Sequence, residues 1–277
     1  MKEYMEFLKM KQTNVIESGF ELNDNELNNM LFPFQKYCVR RALRAGRFAM
    51  FEDCGLGKTI QQLEWADKVQ KHIDKPVLIL APLGVIGQTI KEGAKFGYEV
   101  IELGITVFDQ DLKAGIYITN YDNMENIDAY LFGGIVLDES SILKNFAGKT
   151  KQLLIDSFKD TPYKLCCTAT PSPNDTTELC NHAEFLNIMT RNEMLAMYFV
   201  HDGGSTSDWR LKGHAKQEFW DFVSTWAVML SKPSDIGFDG TGYDLPPLNI
   251  IEEYVHTEKR DNGMLFNDVA VSATDYH

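Results

Sequence analysis

The chain has 277 residues, 44% of them hydrophobic, which is enough apolar material for one large core or two smaller ones. Its net charge of −13 excludes a surface that is basic all over, although phosphate contact needs only a local cationic stripe. No apolar run approaches the roughly 20 residues of a membrane span, and the opening MKEYMEFLKMKQ has no signal-peptide core, so the sequence predicts a cytoplasmic protein without membrane contact.

Along the chain, short β-branched or aromatic runs alternate with helical stretches, punctuated by Gly, Pro and Asn. That alternation predicts an α/β fold with a mainly parallel sheet flanked by helices. The first local feature is KYCVRRALRAGR, where Lys36, Arg40, Arg41, Arg44 and Arg47 occur without an intervening acid. It reads equally well as a solvated helix face or as a binding surface. Strands are expected at 47–51, 76–80, 99–103, 115–119, 134–138 and 163–168, with helices at 58–71, 84–96, 148–158 and 175–186. The near-continuous apolar runs VLILA and GIVLD suit strands covered on both faces. Beyond about residue 190 the texture changes. AKQEFWDFVSTWAVMLS reads as one amphipathic helix with an aromatic stripe, the mark of a C-terminal helical extension. The five cysteines are scattered, and Cys180 with His182 leaves a zinc site two ligands short, so reduced structural thiols are expected.

Three segments carry chemistry. In FAMFEDCGLGKTIQQLEWA an apolar strand runs into Gly55, Gly57, Lys58 and Thr59, and a helix follows. Glycines there let backbone N–H groups turn toward an anion, and the following helix offers its positive end. Asp53, Cys54, Gly55, Leu56, Gly57, Lys58 and Thr59 would form the phosphate cradle. Lys58 would reach the β and γ phosphates of ATP, and Thr59 would ligate Mg²⁺. Glu52 occupies the position where the general phosphate-loop pattern has its first glycine. In GGIVLDESSILKN a buried strand ends in adjacent acids, Asp138 to hold Mg²⁺ and Glu139 to orient or deprotonate the attacking water. In YKLCCTATPSPND, Thr168 and Thr170 stand at a strand end, where hydroxyls can sense a phosphate without adding charge.

With these segments in order, the chain resembles the first RecA-like domain of a superfamily 2 helicase, nearest the Swi/Snf-like translocases and the DEAD/DEAH-box helicases of phages. The successive motifs match LFPFQ, EDCGLGKT, LILAPLGVIGQ, ITNYDNM, LDESSILKN and TATPSPN. An acid at or beside Glu52 is normal in the translocases, so the missing glycine points toward that family. The resemblance implies that Gln35 reads the adenine edge and that Phe20 stacks on adenine. It also implies that Pro82, Leu83, Thr119, Asn120 and Tyr121 lie on the nucleic-acid side, and that Thr168 and Thr170 couple hydrolysis to movement. Ser141 departs from the family, which often has His or Asp there. The implied organisation is an N-terminal extension (1–28), a P-loop ATP-binding domain (29–189), the helical extension (190–245) and a lead-in (246–277) to a second RecA-like domain absent from the chain. Its expected partners are nucleic acid, DNA first, and a second RecA-like domain supplied in trans. Without the arginine that such a domain contributes, worth about 10³ to 10⁵ in rate, ATP turnover should be slow. A nucleotide-dependent nucleic-acid clamp without turnover is the alternative.

Overall fold

The structure is a computed structural model that describes residues 17–104, 112–144, 148–201 and 209–243. Its centre is a seven-stranded sheet built from β1 (Arg47–Glu52), β2 (Val77–Ala81), β3 (Val100–Glu102), β4 (Ile116–Asn120), β5 (Gly134–Asp138), β6 (Tyr163–Thr168) and β9 (Ala227–Leu230). The order is β3-β4-β2-β5-β6-β1-β9, and every neighbouring pair is parallel. All the C-terminal strand ends therefore share one edge, where ligands of open parallel sheets bind. A separate antiparallel hairpin pairs β7 (Phe199–His201) with β8 (Trp209–Leu211).

Alternation along the strands assigns the two faces. Phe48 and Met50 of β1, Ile79 of β2, Val136 of β5 and Leu165 of β6 pack against α1 (Pro33–Ala45), α2 (Lys58–Ile73) and α3 (Leu83–Phe96). Ala49, Phe51, Leu80, Leu137 and Cys166 point the other way, toward α4 (Lys149–Ser157), α5 (Leu179–Phe185), α6 (Arg191–Tyr198) and α7 (Lys216–Trp226). Side chains two apart share a face and neighbours do not, so one strand feeds two cores.

All six expected central strands agree to within one residue at each end, β3 being one residue shorter at both. The main correction falls in AKQEFWDFVSTWAVMLS. The helix stops at Trp226, and residues 227–230 become a strand beside β1, with Ala49 facing Ala227 and Glu52 facing Leu230. Local pattern does not separate the two states in so short a run. The open N–H and C=O groups of β1 do, because pairing satisfies them. The expected helix over 175–186 begins as a 3₁₀ turn, Thr176–Glu178, whose N-cap Asp175 accepts from the Thr177 amide at 2.6 Å. Helix α6 was not anticipated; Thr190 and Glu193 form its capping box.

The cationic stripe resolves into partnered cations on α1 and, at Arg47, the start of β1. Arg40 meets Asp24 at 2.8 Å and Arg44 meets Glu17 at 2.9 Å. Lys36 donates to Asp24 O at 3.1 Å, Arg41 donates to Ser224 O, and Arg47 donates to Pro162 O at 3.3 Å. Phe20 also falls elsewhere than expected. Its ring stacks on His72 at 3.9 Å and edges Tyr163 at 6.0 Å. His72 ends α2 and Tyr163 begins β6, so Phe20 sits at the far end of the sheet from the phosphate loop and cannot stack on a base held there. Among the described residues no helix is long and apolar enough to cross a membrane. The described residues belong to one compact unit, and the lead-in at 246–277 lies outside them.

Candidate ATP-binding and hydrolytic site

Strand β1 delivers the chain to the shared edge, where Asp53 N donates to Leu230 O at 2.8 Å, so β9 anchors the start of the loop. Gly55 and Gly57 have φ of +86° and +75°, a region costly for other residues. Gly57 is the N-cap of α2 and has no side-chain cap, which leaves the helix N-terminus to an external acceptor. A Cβ at Gly57 would also lie 2.5 Å from Gln35 Nε2. Lys58 Nζ donates to Glu52 O at 2.8 Å and Asp53 O at 3.1 Å, within the curl of the loop. Asp53, Cys54 and Gly55 are exposed, Leu56 is buried, and Thr59 is half-buried beside Lys58.

Beneath the loop lies Glu52, fully buried. Burial pushes its carboxyl up to about 7, against the pull of Gln61 and the Lys58 charge. Gln61 Nε2 donates to Glu52 at 2.6 Å and reaches Leu56 O at 3.3 Å, so the acid in place of the first glycine braces the loop from below. Burial, with Glu52 beside it, also pushes the Cys38 thiol up. Gln35 is a second brace. Its Nε2 donates to Leu56 O at 2.8 Å, and its Oε1 accepts from Phe32 N at 2.9 Å. The residue expected to read adenine is therefore packed against the phosphate loop.

The acidic pair stands two strands away, at the end of β5, with β6 between. Asp138 Oδ1 accepts from Gln62 Nε2 at 2.7 Å, a direct link from the phosphate-loop helix to the proposed Mg²⁺ ligand. Burial raises the Asp138 pKa, the Gln62 bond opposes this, and the Glu139 charge adds to it. Glu139 turns the chain with φ of +53°, a left-handed conformation that costs a non-glycine residue of order 1–3 kcal/mol. Thr168 Oγ1 donates to Glu139 Oε2 at 3.1 Å and accepts from Thr170 N at 3.1 Å, so the threonine segment holds the carboxylate. Gln61 and Gln62 escaped sequence reading. Their signal was two adjacent amides one turn after Lys58, on helix faces that must meet the sheet.

Beside Glu139 opens a cleft of about 430 Å³, lined by Pro82, Leu83, Asn120, Tyr121, Ser141 and Lys144 among others. Leu83 is 68% exposed at the start of α3. Tyr121 donates its hydroxyl to Asp138 O at 2.6 Å, tying the cleft wall to the acidic strand. Thr119 is not on this wall. It is buried and accepts from Asn123 Nδ2 at 3.1 Å. Ser141 faces the cleft, while Ser140 turns inward to His182 Nε2 at 3.1 Å. Burial pulls His182 down to about 4, so the ring is neutral at ordinary pH. Among the described residues no three His, Cys, Asp or Glu side chains converge on one point, Cys180 and His182 included. Four cysteines are buried, and Cys54 is exposed in the loop.

An Mg²⁺ fits this donor set. Thr59 and Asp138 offer hard oxygens, and Mg²⁺ is commonly held by one or two protein oxygens together with substrate phosphates and water. The edge thus offers a helix N-terminus with a lysine and, at the end of β5, two adjacent carboxylates.

Comparisons with known proteins identify the family and the fold. Residues 39–198 match the family described as SNF2-related domain. A curated relative, the SWI/SNF-related matrix-associated actin-dependent regulator of chromatin subfamily A-like protein 1 of Xenopus tropicalis, is 29% identical over 164 residues, covering 56% of this chain and 17% of its own length. The protein of the same name in Bos taurus is 25% identical over 174 residues, covering 60% and 18%. The Sulfolobus solfataricus SWI2/SNF2 ATPase core in complex with dsDNA is similar over 76% of this chain and 46% of its own, with a TM-score of 0.59 at 20% identity. The UvsW helicase from Bacteriophage T4 is similar over 62% and 67%, with a TM-score of 0.50 at 14% identity. The chain therefore spans less than a fifth of these curated relatives and about half of the Sulfolobus core. At such identities the solved structures speak for a RecA-like fold.

Proposed function

Because the chain belongs to the SNF2-related domain family of helicase-type ATPases, we propose that it binds Mg²⁺-ATP at the shared strand edge and hydrolyses it in response to DNA. One observation carries the reading: Gln62, on the helix that follows Lys58 and Thr59, donates to Asp138 at 2.7 Å, joining the phosphate loop to the acidic pair. Lys58 and the α2 N-terminus hold the phosphates, Thr59 and Asp138 hold Mg²⁺, and Glu139 orients the water and takes its proton. Mg²⁺, when bound, neutralises charge that develops on the phosphate oxygens.

The cleft beside Glu139 is the proposed nucleic-acid contact, through Pro82, Leu83, Asn120 and Tyr121. DNA is the preferred partner, in line with the dsDNA bound by the similar Sulfolobus core. Thr168, which donates to Glu139, and Thr170, whose amide donates to Thr168, are the proposed coupling residues. In this reading residues 29–189 form the ATP-binding domain, 190–245 an extension, and 246–277 lead toward a second RecA-like domain. Arginines of such a domain raise phosphoryl transfer by about 10³ to 10⁵, so hydrolysis by these 277 residues should rise when one is supplied, in cis or in trans. The setting is the cytoplasm of a bacterial or phage-infected cell, where ATP and DNA meet.

The test compares the 277-residue chain with Lys58→Ala, measuring affinity for a fluorescent ATP analogue and hydrolysis with and without double-stranded DNA. We expect Mg²⁺-dependent binding that Lys58→Ala removes and weak hydrolysis that DNA raises. Retained affinity in Lys58→Ala refutes the phosphate-loop assignment. Binding without hydrolysis under every condition makes the chain a nucleotide-dependent clamp.

A further inference from the structure

We propose that His182 is a positioning residue for Glu139: through the hydrogen bond it shares with Ser140, its buried imidazole ties helix α5 to the turn that carries the base. Ser140 and His182 are both fully buried, and neither belongs to the phosphate cradle or the cation site. The ring's orientation is set from its own helix, where His182 Nδ1 lies 3.4 Å from Glu178 O. Its Nε2 lies 3.1 Å from the Ser140 hydroxyl, within hydrogen-bond reach, and the tautomer sets which of the two donates. The ring also meets Phe51 edge-on at 5.0 Å, immediately before Glu52. One imidazole therefore touches the strand that feeds the phosphate loop and the turn that leaves the acidic pair.

A second tie runs in parallel. Asn181 Nδ2 donates to Leu143 O at 2.8 Å and to Lys144 O at 3.3 Å, so two consecutive residues of α5 hold the 3₁₀ turn Ser140–Lys144. Glu139 enters that turn in its left-handed conformation, which persists only where the surroundings over-determine it. From the front, Thr168 holds the carboxylate. Thr168 and His182 lie in one continuous segment, residues 168–182, whose middle is fixed by Glu178 accepting from Asn174 Nδ2 at 2.8 Å. A shift of this segment therefore moves the carboxylate and its backbone together. Aliphatic side chains would fill the same space without needing partners, so the buried polar pair acts through direction.

The kinetic arm of the test rests on the ATPase reading; the exchange arm does not. In the full chain, His182→Leu should lower kcat for DNA-stimulated ATP hydrolysis by about 10- to 100-fold with KM nearly unchanged, as for a misplaced catalytic group. It should also speed amide exchange at residues 140–144 by about tenfold or more while β2 and β4 keep their protection. His182→Gln, which can both donate and accept, should restore most of both. Should His182→Leu not fold, Ser140→Ala removes the hydroxyl alone and should show the same pattern. Unchanged exchange at 140–144 in the folded variant overturns the proposal, as does loosening spread evenly over the protein or a fall in kcat that glutamine does not rescue. If the wild-type chain does not hydrolyse ATP while exchange at 140–144 still responds locally, the ATPase reading fails and the tie stands.

Discussion

Replacing Glu52 with glutamine should stabilise the protein at neutral and alkaline pH and leave it nearly unchanged in acid. The carboxyl is fully buried under the phosphate loop, and burial lifts it from an ordinary 4.5 to about 7. A folded-state value above the unfolded one means that the folded protein binds the proton more tightly. The resulting stabilisation is complete below pH 4.5 and is lost as pH rises through about 7. At about 1.4 kcal/mol per tenfold in proton affinity, the swing is roughly 3 kcal/mol. Glutamine mimics the protonated acid: its oxygen can still accept from Gln61, which now donates to Glu52 at 2.6 Å, and it carries no charge to desolvate. For a chain of this size the difference corresponds to a melting shift on the order of 5–10 °C at pH 8, shrinking toward zero near pH 4.5. Thermal melts of both proteins across that range, in one buffer series, make the measurement. Parallel melting curves at all pH values would show that Glu52 titrates normally and that the brace beneath the loop is not a buried acid.

Other outcomes follow from the same geometry. Glu139→Gln should keep ATP affinity and lower turnover by about 10² to 10⁴, read by single-turnover hydrolysis; unchanged turnover removes it as the base. Gln62→Leu takes away the donor that favours ionised Asp138, so the acid limb of the hydrolysis profile should move to higher pH, and superimposable profiles would deny the link. Trp226→Ala empties a fully buried site beside Phe51 and Phe222 and should cost about 3–5 kcal/mol in denaturant unfolding. A loss below 1 kcal/mol would mean that the helix ending in Trp226 and its following strand are not part of the common core.

Much of the nucleotide site was legible because its chemistry is written in contiguous residues. The roles proposed for Gly55 to Thr59 and Asp138 to Glu139 come from residue type and spacing, and doubly covered strands such as Gly134–Asp138 announce themselves as unbroken apolar runs. The arginine stripe was legible only as charge. Its meaning depended on Glu17 and Asp24, acids that approach it from a segment the local pattern could not place.

By itself, then, the sequence determined the alternating α/β plan and the family it resembles, and marked the candidate phosphate loop and acidic pair, since each follows from local periodicity or a short motif. Only the tertiary structure decided that residues 227–230 leave a helix to become a strand, because the unpaired edge of β1 lies far away in sequence. It alone brought Gln62 to Asp138, across 76 residues, and His182 to Ser140, across 42. A hydrogen bond between buried side chains depends on direction and on what else surrounds it, and neither is recorded in the order of residues along one strand or helix.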